Sequence, residues 1–132
     1  MVIGFKKQFV EPILQGTKVH TIRSDEHKRW FPGRIMHMAT GTRSKYYHCF
    51  KETPCVSTQR IFMTYDWMLH ISIGGGDACE LYHNEKETLA KNDGFASFKE
   101  FENWWYPILA ANNKQYTGRI IHWTPLRYKY YD

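Results

Sequence analysis

Apolar and polar positions change their period several times along the chain, and those changes divide it into short elements. Phe9-Val10-Glu11-Pro12-Ile13-Leu14-Gln15-Gly16 reads as a short helix, because Pro12 suits a first turn and Gly16 suits the left-handed residue that ends one. Lys18 to Arg23 then reads as extended, carrying the β-branched Val19, Thr21 and Ile22, before a charged loop from Ser24 to Arg29. Trp30-Phe31-Pro32-Gly33 is a turn signal, and Ile35 to Thr40 after it reads as a strand. Further strands are predicted at Tyr46 to Lys51, Cys55 to Thr64 and Trp67 to Ile73. Gly74-Gly75-Gly76 follows the last as a connecting loop or a point of close backbone approach.

The second half changes character. Asn84 to Lys91 is rich in helix formers, and Asn92-Asp93-Gly94 supplies a stop. Ser97-Phe98-Lys99-Glu100 has the spacing of a capping box, and Phe98, Phe101, Trp104 and Trp105 recur at helical spacing as one core-sealing face. Pro107 is expected to end or bend this helix. Thr117 to Trp123 reads as the last strand, closed by Thr124-Pro125, and a basic, tyrosine-rich tail follows from Leu126 to Asp132. This order of elements predicts one α+β domain over residues 1–132, a small mixed β-barrel with flanking short helices rather than alternating β-α units.

Composition narrows the classes. The 132 residues suffice for one core, and 42% hydrophobic content with 22 aromatics argues against a disordered chain. No apolar run approaches the ~20 residues that span a bilayer, and Met1 to Lys7 has the wrong order for a signal peptide, so a cytoplasmic protein without membrane contact is expected. The formal charge of +5 is unevenly spread. Residues 1–60 carry 11 Lys or Arg against 4 acids, net +7, whereas residues 61–132 carry 7 against 9, net −2. A basic N-terminal half favours a polyanionic partner. Cys49, Cys55 and Cys79 form neither a disulfide framework nor a zinc ribbon and read as buried thiols.

One segment stands out. Gly16-x-Lys18-x-x-Thr21-x-Arg23, preceded by Pro12-Ile13-Leu14 and followed by Phe31-Pro32-Gly33, closely resembles the ASCH domain family. Asp93-Gly94-Phe95 with Phe98-Lys99-Glu100-Phe101 is similar to that family's second signature, which extends the match over about residues 5–125. The resemblance implies a PUA-like β-barrel with a cleft beside the first helix, and RNA, nucleosides or nucleotides as ligands. In one bacterial branch it implies hydrolysis of the acetyl amide of acetylated cytidine by a lysine, a threonine and a glutamate. Carried over by position, the lysine is Lys18 and the threonine Thr21. The glutamate falls at or beside Asp93, one residue out of register and one methylene shorter.

The chemistry can be weighed on the residues themselves. A threonine hydroxyl becomes a nucleophile only when a base takes its proton, and a lysine serves only if its pKa falls from ~10.4 towards neutrality. Burial beside Arg23, Lys6, Lys7 or Arg34 would lower it. A carboxylate such as Asp93 opposes that shift, so Asp93 is cast as an orienting or substrate-binding group. On a regular strand Lys18 and Thr21 point to opposite faces and His20 lies beside Lys18; convergence of Lys18 with Thr21 requires a bend after Gly16.

The expected function is therefore a ligand-binding module whose basic cleft uses Lys18, His20, Thr21 and Arg23. Trp30, Trp123 or a tail tyrosine would offer a stacking face. The alternative is an amidohydrolase with Thr21 as nucleophile and Lys18 as base. Neither a metal nor a cofactor is expected: the seven histidines form no HxxxH or HExxH, and Gly74-Gly75-Gly76-Asp77 lacks the remainder of a phosphate loop. Arg127-Tyr128-Lys129-Tyr130-Tyr131 interleaves cations with rings, which suits either single-strand binding or packing along the barrel.

Overall fold

The computed structural model describes residues 1–74 and 79–129. Its strands are β1 (Val2–Gly4), β2 (His20–Arg23), β3 (Ile35–Thr40), β4 (His48–Pro54), β5 (Ser57–Tyr65), β6 (Leu69–Ile73), β7 (Cys79–Glu80) and β8 (Gln115–His122). A 3₁₀ turn (Lys7–Phe9) leads into α1 (Val10–Gln15), and α2 (His83–Asn92) and α3 (Phe98–Ala110) precede β8. Gly75, Gly76 and Asp77 of the expected glycine loop, and Tyr130 and Tyr131 of the tail, lie outside the described residues.

The architecture is α+β with two sheets. β1 pairs parallel with β3, which pairs antiparallel with β4. The second sheet, β2-β8-β5-β6-β7, is antiparallel throughout. β4 continues into β5 through Cys55 and Val56, and this stretch carries the chain from one sheet to the other. Cys55 donates its N–H to the Arg34 carbonyl on one side, and Val56 donates to the His122 carbonyl on the other, both at 2.8 Å. At the opposite margin β1 and β2 share no strand pairing. There Arg23 spans the seam, its Nη2 donating to the Gly4 carbonyl at 2.6 Å.

Period-two patterning builds the core between the sheets. Met36 and Met38 of β3, Ile61 and Met63 of β5, and Leu69, Ile71 and Ile73 of β6 are fully buried. The pairing of β3 with β4 shifts register between Met38 and Ala39, with Phe50 of β4 as the extra residue of a bulge, and Met38 and Ala39 are both buried. Helix α3 closes the core with Phe101, Trp105 and Leu109. Ser97 accepts from the Glu100 N–H as a cap, but the Glu100 carboxylate turns back to the Ala96 N–H rather than that of Ser97.

Several expectations change. The helix does not end at Pro107. It runs on to Ala110, because burial of Leu109 outweighs the hydrogen bond that the proline ring cannot donate. β4 begins at His48 rather than Tyr46, since Gly41 to Tyr47 is folded into consecutive turns. β1 and β7, of three and two residues, are too short to leave a periodic signal. Of the three free thiols only Cys55 is buried; Cys49 is half-buried and Cys79 exposed. No helix among the described residues is long and apolar enough to cross a membrane.

Phe101 meets Phe95, Phe98 and Trp105 and carries the contact between α3 and the core. Phe101→Ala is expected to cost about 3–5 kcal/mol through lost burial and an unfilled cavity. Urea unfolding of the variant checks this, and a midpoint equal to that of the parent chain contradicts the packing described.

Candidate functional site: a buried cation cavity at the sheet seam

The seam between β1 and β2 holds a cavity of about 290 Å³. Its polar lining is Lys18, Thr21, Arg23 and Asp93, with Lys6 at the margin, and its aromatic walls are Phe5, Phe9, Phe95, Trp104 and Trp105. Three chain segments deliver the polar groups, and each is fixed by local backbone chemistry.

The first segment is the exit from α1. Gly16 takes φ +83° as the left-handed residue that stops the helix, and the Thr17 and Lys18 N–H groups both donate to the Pro12 carbonyl, at 2.9 and 3.0 Å. Val19 then donates to the Asn92 carbonyl at 2.8 Å. The chain is bent there, and β2 begins only at His20. This is how Lys18 and Thr21, which a continuous strand would separate, come to line one cavity.

The second segment is the end of α2. Gly94 follows the last turn at φ +94°, and a Cβ on it would lie 2.9 Å from the Lys18 side chain. A glycine here satisfies the left-handed backbone and leaves the path by which the lysine reaches the helix end. The Lys18 ammonium donates to the Asp93 carbonyl at 2.6 Å and to Asp93 Oδ1 at 3.2 Å. It thus caps the carbonyl end of α2, where the helix dipole favours a cation. Lys18 is 2% exposed and Asp93 4%, and the Nζ lies 4.7 Å from the centre of the Phe9 ring.

The third segment is β2 itself. Arg23 donates from Nε to the Thr21 hydroxyl at 3.2 Å, and its guanidinium carbon sits 4.9 Å from the Phe5 ring centre. Among the described residues no carboxylate lies within ion-pair distance of Arg23. The cavity therefore holds one dry cation paired with a carboxylate, Lys18 with Asp93, and one half-buried cation, Arg23, without one.

Burial is the largest influence on these groups. It pushes Lys18 below the ordinary lysine range, helped by Arg23, while the charge and hydrogen bond of Asp93 oppose it. Burial likewise lowers Arg23, again against Asp93.

Behind the cavity, hydrogen bonds run in one direction. Asn92 Nδ2 donates to the Tyr128 hydroxyl at 3.2 Å. Tyr128 lies 2.6 Å from His20 Nε2, and His20 Nδ1 lies 3.1 Å from Asp93 Oδ1. A carboxylate only accepts, so His20 carries its proton on Nδ1 and accepts the Tyr128 hydroxyl's hydrogen bond on Nε2. Burial lowers His20, and Tyr128 is pushed up by burial so that it keeps its proton. Tyr128 is in turn clamped to Gln59, whose amide donates to its carbonyl at 3.0 Å and whose oxygen accepts its N–H at 2.9 Å. The same Gln59 oxygen accepts from His122 Nε2 at 3.0 Å, leaving His122 Nδ1 buried without a partner among the described residues.

Lys18, Thr21, Arg23 and Asp93 all reach the cavity. His20 does not line it and instead holds Asp93 from behind. Trp30, expected as a stacking face, is buried in the core outside the lining, its backbone N–H donating to Asp25 Oδ2. Trp123 is also core, edge-on to Phe5. The described part of the tail packs, through Tyr128, against the back of the site. The aromatic walls escape a reading of the sequence as ligand-facing groups: Trp104 and Trp105 carry only the helical spacing of a core face, and nothing in the pattern joins them to Phe5 or Phe9. Among the described residues, no group of three or more His, Cys, Asp or Glu is placed to hold a metal.

Comparison of the chain with protein-family models, with curated proteins and with solved structures finds no match.

The histidines make acid stability a readout of this network. Burial, aided by the nearby His20 and Arg127, lowers His122 to about 3 from its ordinary 6.5. The unfolded chain therefore takes up protons, on descending from about pH 6.5 towards 3, that the native state refuses. Stability rises with pH across that window and is lost as acid is added. His122→Gln, which keeps a donor for Gln59 but cannot titrate, is expected to flatten the pH dependence of the urea midpoint between pH 6.5 and 4; an unaltered slope contradicts the assignment.

Proposed function

We propose that the chain is an ASCH-type module on a PUA-like barrel, and that its seam cavity binds a single nucleobase-like group of an RNA, nucleoside or nucleotide. The barrel reading is supported by the strand circuit. β1-β3-β4 runs through Cys55 and Val56 into β5, then by β8 to β2, and Arg23 bridges β2 back to Gly4.

The observation that carries the ligand reading is the cavity's chemistry. Buried Lys18, paired with the Asp93 carboxylate, and half-buried Arg23 line a space of about 290 Å³ between aromatic faces. That volume lies at the small end of ligand pockets and suits one planar group rather than a length of nucleic-acid backbone. Two cations and a threonine hydroxyl suit carbonyl oxygens and ring nitrogens, and the ring walls suit a flat π face.

A specific observation also favours hydrolysis of an acylated base. A neutral lysine has two N–H donors and one lone pair, and the two Asp93 oxygens take both donors. Among the described residues no hydrogen bond joins Lys18 Nζ to the Thr21 hydroxyl, so receipt of the Thr21 proton by that lone pair requires the two side chains to close together when substrate binds. Arg23 already donates to the Thr21 oxygen and so stabilises its charged form. In this reading Thr21 Oγ attacks the acyl carbon and Lys18 takes the hydroxyl proton and passes it to the departing exocyclic amine. Water then releases the acyl group from Thr21.

One experiment separates the readings. Cytidine, acetylcytidine and a short single-stranded RNA are titrated against the chain by calorimetry, and the acetylcytidine sample is followed for release of cytidine. Binding is expected, weakened about 10- to 100-fold in Arg23→Gln, the range for losing a charge-assisted hydrogen bond. Release of cytidine that Thr21→Ala abolishes establishes the hydrolase; binding without turnover leaves the module. Absence of binding to all three ligands contradicts both.

A further inference from the structure

We infer that the ligand of the seam cavity carries a phosphate, held in a second compartment by Lys6, Arg43 and the outer edge of Arg23. This inference rests on the nucleobase reading and adds the ligand class to it.

A wider cleft of about 750 Å³ lies along the outer side of β1, lined by Val2, Gly4, Phe5, Lys6, Arg23, Thr42, Arg43 and Tyr47. Four of these residues, Gly4, Phe5, Lys6 and Arg23, also line the seam cavity, so the two spaces adjoin across the width of β1 and its exit. The cleft lining contains three cations and no carboxylate. Lys6 has an aromatic neighbour, its Nζ 5.2 Å from the centre of the Trp104 ring, and neither Lys6 nor Arg43 has a carboxylate within ion-pair distance among the described residues. Three of the 11 cations of residues 1–60 thus line the cleft beside the cavity.

The loop that brings Arg43 is built to lie against β1. A Cβ on Gly4 would come within 2.9 Å of the Thr42 hydroxyl, so the strand carries a glycine where the loop rests on it. Arg43 itself is held at φ +61°, a conformation that a non-glycine residue adopts at a cost. Gly41 and Ser44 close the turn beneath it, with the Ser44 hydroxyl donating to the Gly41 carbonyl at 2.7 Å. Arg43 is exposed, and its burial does not account for that backbone.

Phosphate is the chemistry that fits. It carries its charge on several oxygens at once, and guanidinium and ammonium groups lining one cleft from different chain segments match that better than they match a neutral carbonyl. A base in the seam cavity places its sugar at the shared residues and its phosphate in the cleft. The seam cavity alone suits a bare nucleoside; the two compartments together suit a nucleotide, free or within a single strand.

The test compares cytidine, cytidine 5′-monophosphate and inorganic pyrophosphate by calorimetry, on the parent chain and on two variants. Arg43→Asn removes the charge but tolerates the left-handed backbone, and Arg43→Glu reverses the charge. The monophosphate is expected to bind about tenfold more tightly than cytidine, with a steeper loss in added salt. Both variants should remove this difference while leaving cytidine affinity unchanged, and pyrophosphate should compete with the monophosphate. Equal affinity for cytidine and its monophosphate, or a phosphate preference that survives Arg43→Glu, overturns the inference while leaving the nucleobase reading intact. Pyrophosphate binding lost in Arg43→Glu, in a chain that ignores cytidine, upholds the phosphate compartment and overturns the nucleobase reading. Binding of none of the three overturns both.

Discussion

The Asp93 carboxylate is the constraint on which the site depends. It is the one acidic side chain among the buried polar residues described, and it meets Lys18 on one side and His20 on the other through the same oxygen. Such a pair is expensive to place in a dry interior, and breaking it by removing one partner commonly costs about 3–5 kcal/mol because a buried charge is left uncompensated. Apolar residues of similar size would serve stability as well or better. The pair instead holds an ammonium inside a cavity, with the helix end of α2 and two phenylalanine rings completing its surroundings.

That constraint reaches well beyond the cavity. His20 can brace Asp93 only as the Nδ1-protonated neutral ring, and the Tyr128 hydroxyl holds it in that form. Tyr128 is set by Gln59 and Asn92, from β5 and α2, and Gln59 also fixes the tautomer of His122. Asn92 contributes twice, since its carbonyl accepts from Val19 and secures the bend that turns Lys18 inward. The C-terminal tail, α2 and the exit from α1 are therefore one arrangement around a single carboxylate. Gly94 is part of it, because any side chain there would occupy the path of Lys18.

Much of this arrangement is legible in the amino-acid sequence. Gly16 as a helix stop, the strand at Ile35–Thr40, the Ser97 cap and the stop at Asn92-Asp93-Gly94 are local features, decided by backbone preferences within a few residues. The grouping of Lys18, Thr21 and Arg23 comes with the motif that contains them. What the sequence hides depends on contacts between distant segments. Trp30 is expected to face a ligand and Trp104 to seal the core, yet Trp30 enters the core and the partly buried Trp104 lines the cavity. Phe5 and Phe9 gain their role only when β1 comes to lie opposite β2. The tail tyrosine suits stacking on a base equally well, and only the position of His20 and Gln59 explains why Tyr128 turns inward. Pro107, read as ending or bending the helix, does not end it because its local penalty is outweighed by burial of Leu109 two residues on.

Burial thus draws Lys18 below the ordinary lysine range, and Asp93 is the chief influence that opposes it. The most direct measurement is the titration of the lysine side-chain carbons by NMR, with Lys18 assigned, in the parent chain and in Asp93→Asn. Lys18 is predicted to titrate below the exposed lysines, since burial outweighs the carboxylate, and to fall further when Asp93→Asn removes the opposing charge. A Lys18 that titrates with the surface lysines and is unmoved by Asp93→Asn would contradict that reading of the site.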